Sequence, residues 1–219
     1  MTLIFKPVDV VLNYYAAYKE PQLDQLKEDS RINLARRLLT NFNLRLNDLR
    51  YDFNTLSNKL VSFSKFIDPA FFEMSLGLEE VSANLRNPKS VEQVNELFGF
   101  FLKLFAEIPI KVQRYTVQQQ CSTKGDFGAF LQKLSPYTPD AFHNLITGSG
   151  ITYNLHLPDH DLAIFITVSD SIIIEKGVFL YFQSEFSPNK YDPNASFKLV
   201  KQYYDFILKE LDLSASTEV

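Results

Sequence analysis

The sequence predicts an α+β protein in which two tandem β-α-β(3-4)-α units form one curved antiparallel sheet with helices on one face. Three observations carry this expectation. First, the stretch Ser90–Phe105, SVEQVNELFGFFLKLF, has a counterpart 106 positions further on, Ser196–Leu211, SFKLVKQYYDFILKEL. Ser90 falls on Ser196, Val94 on Val200, Phe98 on Tyr204, Phe100 on Phe206, Leu102 on Leu208 and Lys103 on Lys209. Second, Phe72, Met74, Leu76 and Leu78 alternate with Phe71, Glu73, Ser75 and Gly77. That period of two marks an antiparallel strand with one dry and one wet face. Third, the stretches 21–42, 90–105, 126–145 and 194–211 read as helices.

Taken in order, residues 3–16 read as a strand rich in β-branched and aromatic residues. Val8, Val10, Leu12 and Tyr14 share one face, and Pro7 lies near the start, where a strand tolerates it. A helix is expected from Pro21, which suits a first turn, to Phe42. Leu23, Leu26, Ile32, Leu34, Leu38 and Leu39 form its broken apolar stripe. Arg36 and Arg37 sit toward its C-terminus, as the helix dipole prefers. Short strands follow at about 44–53, 59–67, 71–78 and 80–85, with turns at 54–58 and Asp68-Pro69. Asn87-Pro88 precedes the helix 90–105, and Ser90 is its cap.

The second half opens at Pro109 with an unusually polar strand, 110–121, IKVQRYTVQQQC. A helical region over 126–145 is interrupted at 135–139. Strands follow at 151–157, 162–168, 171–175 and 178–182, with hairpin turns at 158–161 and 169–170. The last helix spans 194–211. The chain thus reads as a single domain of two pseudo-repeats, 1–108 and 109–213, with 214–219 as a flexible tail. In element order this resembles the TATA-binding-protein-like fold, whose unit of strand, helix, four strands and helix is used twice. The resemblance covers nearly the whole chain but rests on no sequence motif, so it implies a fold and no functional residue.

Composition narrows the function classes. At 219 residues and 46% hydrophobic content, the chain has enough apolar material for a sizeable core. A net charge of −4 disfavours a nonspecific nucleic-acid binder, which needs excess Lys and Arg to displace counterions. The single cysteine, Cys121, excludes an internal disulfide framework and a cysteine-rich zinc site, and it fits a reducing, cytoplasmic compartment. Lys6, Pro7 and Asp9 interrupt the N-terminal apolar run, so no signal peptide is read. The most apolar helix is too short for a bilayer and carries Lys103, so no membrane partner is expected. There are 7 glycines, with no GxGxxG and no GxxxxGK[ST], and the two common phosphate-cradling loops are absent.

Catalytic signals are weak, and no cofactor is expected. His156, Asp159, His160 and Asp161 bring metal-ligand types together, but a polar hairpin turn accounts for them and their spacing matches no zinc signature. Cys121 would act as a nucleophile only beside a histidine, and it otherwise reads as structural. No GxSxG elbow occurs. Carboxylate pairs such as Glu79-Glu80 read as solvated. His143 completes the set of three histidines.

Binding signals are stronger. In the first half, the sheet face away from the helices carries Ser62, Ser64, Glu73 and Ser75 and reads as solvated. In the second half, Leu162, Ile164, Ile166 and Val168 alternate with Ala163, Phe165 and Thr167, and Val178, Leu180 and Phe182 alternate with Phe179 and Tyr181. Strands apolar on both sides are buried on both, under neighbouring strands or a loop such as 183–194, or else one side meets a partner. In the polar strand, Lys111, Arg114, Thr116, Gln118 and Gln120 read either as a hydrogen-bonding floor or as ordinary solvated positions. Arg114 is the natural anchor for an acidic group. The favoured function is a non-catalytic binding or assembly protein, such as an adaptor, inhibitor or regulatory subunit. It would hold a protein partner, or a second copy of itself, on the open sheet face or a strand edge. Arg114, Gln118, Phe165, Phe179 and Tyr181 are the partner-binding candidates. The alternatives are a small-molecule binder with an aromatic-lined cavity closed by the helices 126–145, and nucleic-acid binding through a saddle-shaped sheet.

Overall fold

A computed structural model describes residues 3–51, 60–105, 108–134, 150–186 and 193–215. Among these residues it contains ten strands in one large open sheet and four α-helices. The first part of the chain gives β1 (Leu3–Tyr18), α1 (Glu28–Asn41), β2 (Leu49–Tyr51), β3 (Val61–Ile67), β4 (Ala70–Leu76), β5 (Glu80–Arg86) and α2 (Val91–Phe105). The second gives β6 (Ile110–Lys124), α3 (Phe127–Leu134), β7 (Gly150–Leu157), β8 (Leu162–Asp170), β9 (Val178–Phe186), α4 (Pro193–Glu210) and β10 (Leu213–Ala215). The strand order is β2-β3-β4-β5-β1-β6-β9-β8-β7, and β10 adds to β1 in parallel. The chain divides into two compact units.

One unit comprises Leu12–Tyr115 and Glu185–Ser196. Its antiparallel strands β3, β4 and β5 alternate as the sequence predicts. Phe63, Phe72, Met74, Leu76, Val81, Ala83 and Leu85 are buried, while Ser64 and Glu73 are exposed and Ser62 and Ser75 half-buried. The buried face carries a continuous aromatic spine. Phe42, at the C-terminal cap of α1, stacks on Phe72 at 5.4 Å and leans on Phe63 at 5.1 Å. Phe72 meets Phe98 of α2 edge-on at 6.4 Å, and Phe98 and Phe101 meet one turn apart. From Phe101 the spine runs through Tyr14 (5.4 Å) to Tyr115 (4.9 Å) and Phe186 (6.3 Å). Leu97, Phe98, Phe101, Leu102 and Phe105 of α2 are all buried because their spacing keeps them on one stripe.

The other unit comprises Met1–Val11, Thr116–Ser184 and Phe197–Val219. Its core combines Leu162, Ile164, Ile166 and Val168 of β8 with Val178, Leu180 and Phe182 of β9. Cys121, Phe130, Val200 and Ile207 join them. Tyr204 of α4 packs edge-on against Phe182 at 5.4 Å and donates its hydroxyl hydrogen to Gln119 Oε1 at 2.7 Å. Burial holds the Tyr204 phenol above its ordinary pKa.

Several expectations are corrected. The stretch Ser171–Glu175 is a turn between β8 and β9 and not a strand, although Ile172-Ile173-Ile174 is continuously β-branched. Ser171 decides this locally: its Oγ accepts the backbone N–H groups of Ile173 (3.1 Å) and Ile174 (2.8 Å), which closes a tight turn. Gly177 completes the reversal where a Cβ would lie 2.6 Å from the Cys121 carbonyl oxygen. Ile172 is left 96% exposed and Ile173 68% exposed.

The helix expected from Pro21 starts at Glu28. Leu23–Leu26 form a separate 3-10 turn, and Lys27 is extended between them. Leu23 and Leu26 are therefore exposed instead of extending the stripe. The strand expected over 44–53 does not begin before β2, because Leu46–Asp48 form a 3-10 turn whose Asp48 carboxylate accepts the Arg45 N–H at 2.7 Å, and 52–53 lie outside the described residues. In β1 the buried positions are odd at Leu3 and Phe5 but even at Tyr14, Ala16 and Tyr18. Of the set Val8, Val10, Leu12 and Tyr14, Tyr14 alone is buried, Val10 and Leu12 are half-buried and Val8 is 58% exposed. Ser214 and Ala215, expected in a tail, pair with Ile4 and Phe5, while 216–219 lie outside the described residues. So do the turn at 54–58, the helical stretch 135–145 with its interruption and His143, and 187–192 of the loop expected to cover the sheet.

Candidate partner-binding surface

The second half of the sequence places apolar side chains on both sides of β8 and β9, and the structure separates the two sides. One side is the core just described. On the other, Phe165, Thr167, Phe179, Tyr181 and Gln183 are half-buried and Ala163 is exposed. These strands are thus not buried on both faces. Their second face is an aromatic surface that water reaches.

Its geometry is fixed by strand alternation. Gln119 and Phe182 both touch Tyr204 of α4, so they point toward the helix. Their neighbours Gln118, Tyr181 and Gln183 point the opposite way. Phe165 meets Tyr181 edge-on at 5.7 Å, and Phe179 lies 6.4 Å from the same ring. The Tyr181 hydroxyl donates to Gln183 Oε1 at 2.8 Å, and the Thr152 and Thr167 hydroxyls pair at 3.1 Å on adjoining β7 and β8. Four of the five candidate residues, Gln118, Phe165, Phe179 and Tyr181, therefore share one face of one unit. Three aromatic rings rimmed by amide and hydroxyl groups have the make-up of an interface core and rim.

The fifth candidate, Arg114, lies in the other compact unit. Its Nε and Nη2 both donate to Glu185 Oε2, at 2.9 and 2.6 Å, and its guanidinium stands 5.8 Å from the Tyr15 ring centroid. The two side chains are 43% and 39% exposed, so the pair contributes no more than about 1 kcal/mol. An acidic partner group at Arg114 must compete with Glu185. Sequence reasoning missed Glu185, which is 71 residues from Arg114; only its shared parity with Phe179 and Tyr181 along β9 could have pointed to it. Of the remaining polar-strand positions, Thr116 is buried, Gln120 accepts from Ser171 Oγ at 2.6 Å, and Lys111 is exposed.

The face of β3–β5 away from the aromatic spine is polar. It holds a concavity of 430 Å³ lined by Asn13, Arg50, Ser64, Glu73 and Asn84, with the Ser75 and Ser82 hydroxyls paired at 2.8 Å. A second groove, of 390 Å³, is apolar and is lined by Ile32, Leu39, Leu46 and Tyr51.

The catalytic candidates gain nothing from the geometry. Among the described residues no three His, Cys, Asp or Glu side chains gather as a metal would require. His156 is exposed on β7, while the His160 ring packs edge-on against Tyr203 at 5.8 Å beside the 3-10 turn Pro158–His160. Cys121 is fully buried, and burial pushes its thiol up to about 12, away from the thiolate a nucleophile needs. Among the described residues, no helix is long and apolar enough to cross a membrane.

No protein-family model and no curated protein sequence matches this chain. Among solved structures, a match is found to the apo structure of immunity protein TplEi of T6SS from Pseudomonas aeruginosa. It is 11% identical over 91% of this chain and 88% of that one, with a TM-score of 0.20, and a likeness that slight carries no argument about this chain's fold or function.

Proposed function

We propose that this chain is a non-catalytic binding or assembly protein that holds a protein partner on the β8–β9 side of its sheet. The observation that carries this reading is the water-accessible cluster of Phe165, Phe179 and Tyr181, flanked by Gln118 and Gln183. Aromatic side chains supply large contact area at low entropic cost, which is why they dominate protein interfaces. The free, buried thiol of Cys121 supports a reducing, cytoplasmic setting.

A duplicated architecture accompanies this reading. The strand order supports it: β5, β4 and β3 follow β1 in the sheet as β9, β8 and β7 follow β6. The burial of the two closing helices supports it too: Phe101 and Ile207 are both buried, and Phe100 and Phe206 both exposed.

The test is site-specific photo-crosslinking in the cells that make the protein, with benzoylphenylalanine at position 181 and, as control, at position 73 on the polar face. A discrete protein adduct from position 181, lost in Phe165→Ala/Phe179→Ala, is the expected result. No adduct from 181, or equal adducts from 181 and 73, overturns the reading.

A further inference from the structure

Among the described strands, β2 and β7 stand at the two ends of the sheet order. A sheet edge presents unpaired backbone N–H and C=O groups, and proteins that stay apart guard it with short strands, charges or proline. At one end β2 has three residues, and one of them is Arg50. At the other, β7 has eight residues, GITYNLHL, without Asp, Glu, Lys, Arg or Pro. At about 3.4 Å per residue it offers roughly 27 Å of edge. Thr152, Asn154 and His156 are exposed, and Leu155 is 39% exposed although its register partner Ile164 is buried in the core.

We propose that β7 is an interaction edge at which two copies of this chain pair antiparallel and join their sheets. The sequence of β7 is complementary to itself. With the two-fold axis at Asn154, Ile151 stands opposite Leu157, Tyr153 opposite Leu155 and Thr152 opposite His156. Residues 151, 153, 155 and 157 lie on the side of β7 that pairs with Val168, Ile166, Ile164 and Leu162 of the core, so apolar side chains meet apolar ones. Thr152, Asn154 and His156 meet on the polar side, and no like charges oppose. A pairing shifted by one residue would set every apolar residue against a polar face. One strand edge buries less than a standard interface, so the dimer is weak and reversible, with a Kd on the order of ten micromolar or higher. The inference rests on the chain being a protein-binding module but not on the aromatic face.

Sedimentation velocity from micromolar to about 0.5 mM, a range that spans such weak interfaces, tests it. The wild-type weight-average coefficient should rise with concentration toward that of a dimer. Asn154→Lys/Leu155→Lys should raise Kd by about tenfold or more, because the axis doubles each substitution and sets Lys against Lys. Its unchanged melting temperature would show that it folds. Independently of any variant, hydrogen exchange of wild-type β7 amides should slow as concentration rises. A monomer throughout the range, or a dimer indifferent to the lysine pair, overturns the proposal. A dimer abolished by Tyr181→Lys but not by the lysine pair also overturns it, while leaving the aromatic-face reading standing. An edge dimer without any adduct from position 181 refutes the aromatic face alone.

Discussion

Two adjacent phenylalanines in β4 test the separation of the aromatic spine from the polar face in the unit that holds β3, β4 and β5. Phe72 is fully buried and touches the rings of Phe42, Phe63 and Phe98 at 5.4, 5.8 and 6.4 Å. A buried Phe side chain removes about 150–250 Å² from water, and Phe→Ala in a core costs about 3–5 kcal/mol. Three ring contacts, each adding about 0.5–1.5 kcal/mol beyond burial, put Phe72→Ala at the upper end, about 4–5 kcal/mol. Phe71, one residue earlier, is 38% exposed and faces the other way, opposite the 65% exposed Phe66 across the strand pair. Phe71→Ala should cost no more than about 1 kcal/mol, the worth of one cross-strand pair. Equilibrium urea unfolding reads both: with m near 2 kcal/mol/M, the Phe72→Ala midpoint falls by about 2 M at constant m, and the Phe71→Ala midpoint by about 0.5 M or less. Equal costs for the two variants would refute the assignment of faces. A cost below about 1.5 kcal/mol for Phe72→Ala would refute the aromatic spine as the core.

Further outcomes are expected at Cys121 and in the β8–β9 turn. Burial raises the Cys121 thiol from 9.0 to about 12, so the folded chain keeps its proton where the unfolded chain releases it. Its contribution is fully present below pH 9 and declines as pH rises from 9 toward 12, by at most about 1.4 kcal/mol per unit. Urea midpoints between pH 8.5 and 10 should fall more steeply in wild type than in Cys121→Ala, which keeps only the slope of Tyr14, Tyr18 and Tyr204, phenols that burial also holds above their ordinary value, and the native thiol should resist an aromatic disulfide reagent at pH 8; rapid native labelling would contradict its burial. In the β8–β9 turn, Ile172→Ser and Ile173→Ser should each change stability by less than about 0.5 kcal/mol, because both side chains already stand in water. Gly177→Ala should cost about 1–3 kcal/mol, since its Cβ would lie 2.6 Å from the Cys121 carbonyl oxygen and 2.7 Å from Ile174 Cβ. Thermal melts separate these, and a melting temperature unchanged by Gly177→Ala would refute the close approach.

The sequence by itself determined what periodicity and local chemistry encode: the α+β class, the alternating faces of β4 and β8, the amphipathic stripe of α2 with its echo in α4, and the solvated side holding Ser64 and Glu73. Each depends on neighbours a few residues apart, whose spacing sets which face they share. Tertiary structure decided the rest. The triple isoleucine at 172–174 has strand propensity, yet the Ser171 hydroxyl and the close backbone approach at Gly177 turn it outward. Local preference lost to hydrogen bonds and to a carbonyl more than fifty residues away in sequence. The apolar second face of β8 and β9 was visible in the sequence, but whether anything covered it depended on which elements fold over it. Arg114 was legible as a cation; its engagement by Glu185 was not, because the pair exists only once β6 and β9 are neighbours in the sheet. The place of β7 at one end of the described strands likewise follows from strand order, which short-range sequence signals do not contain.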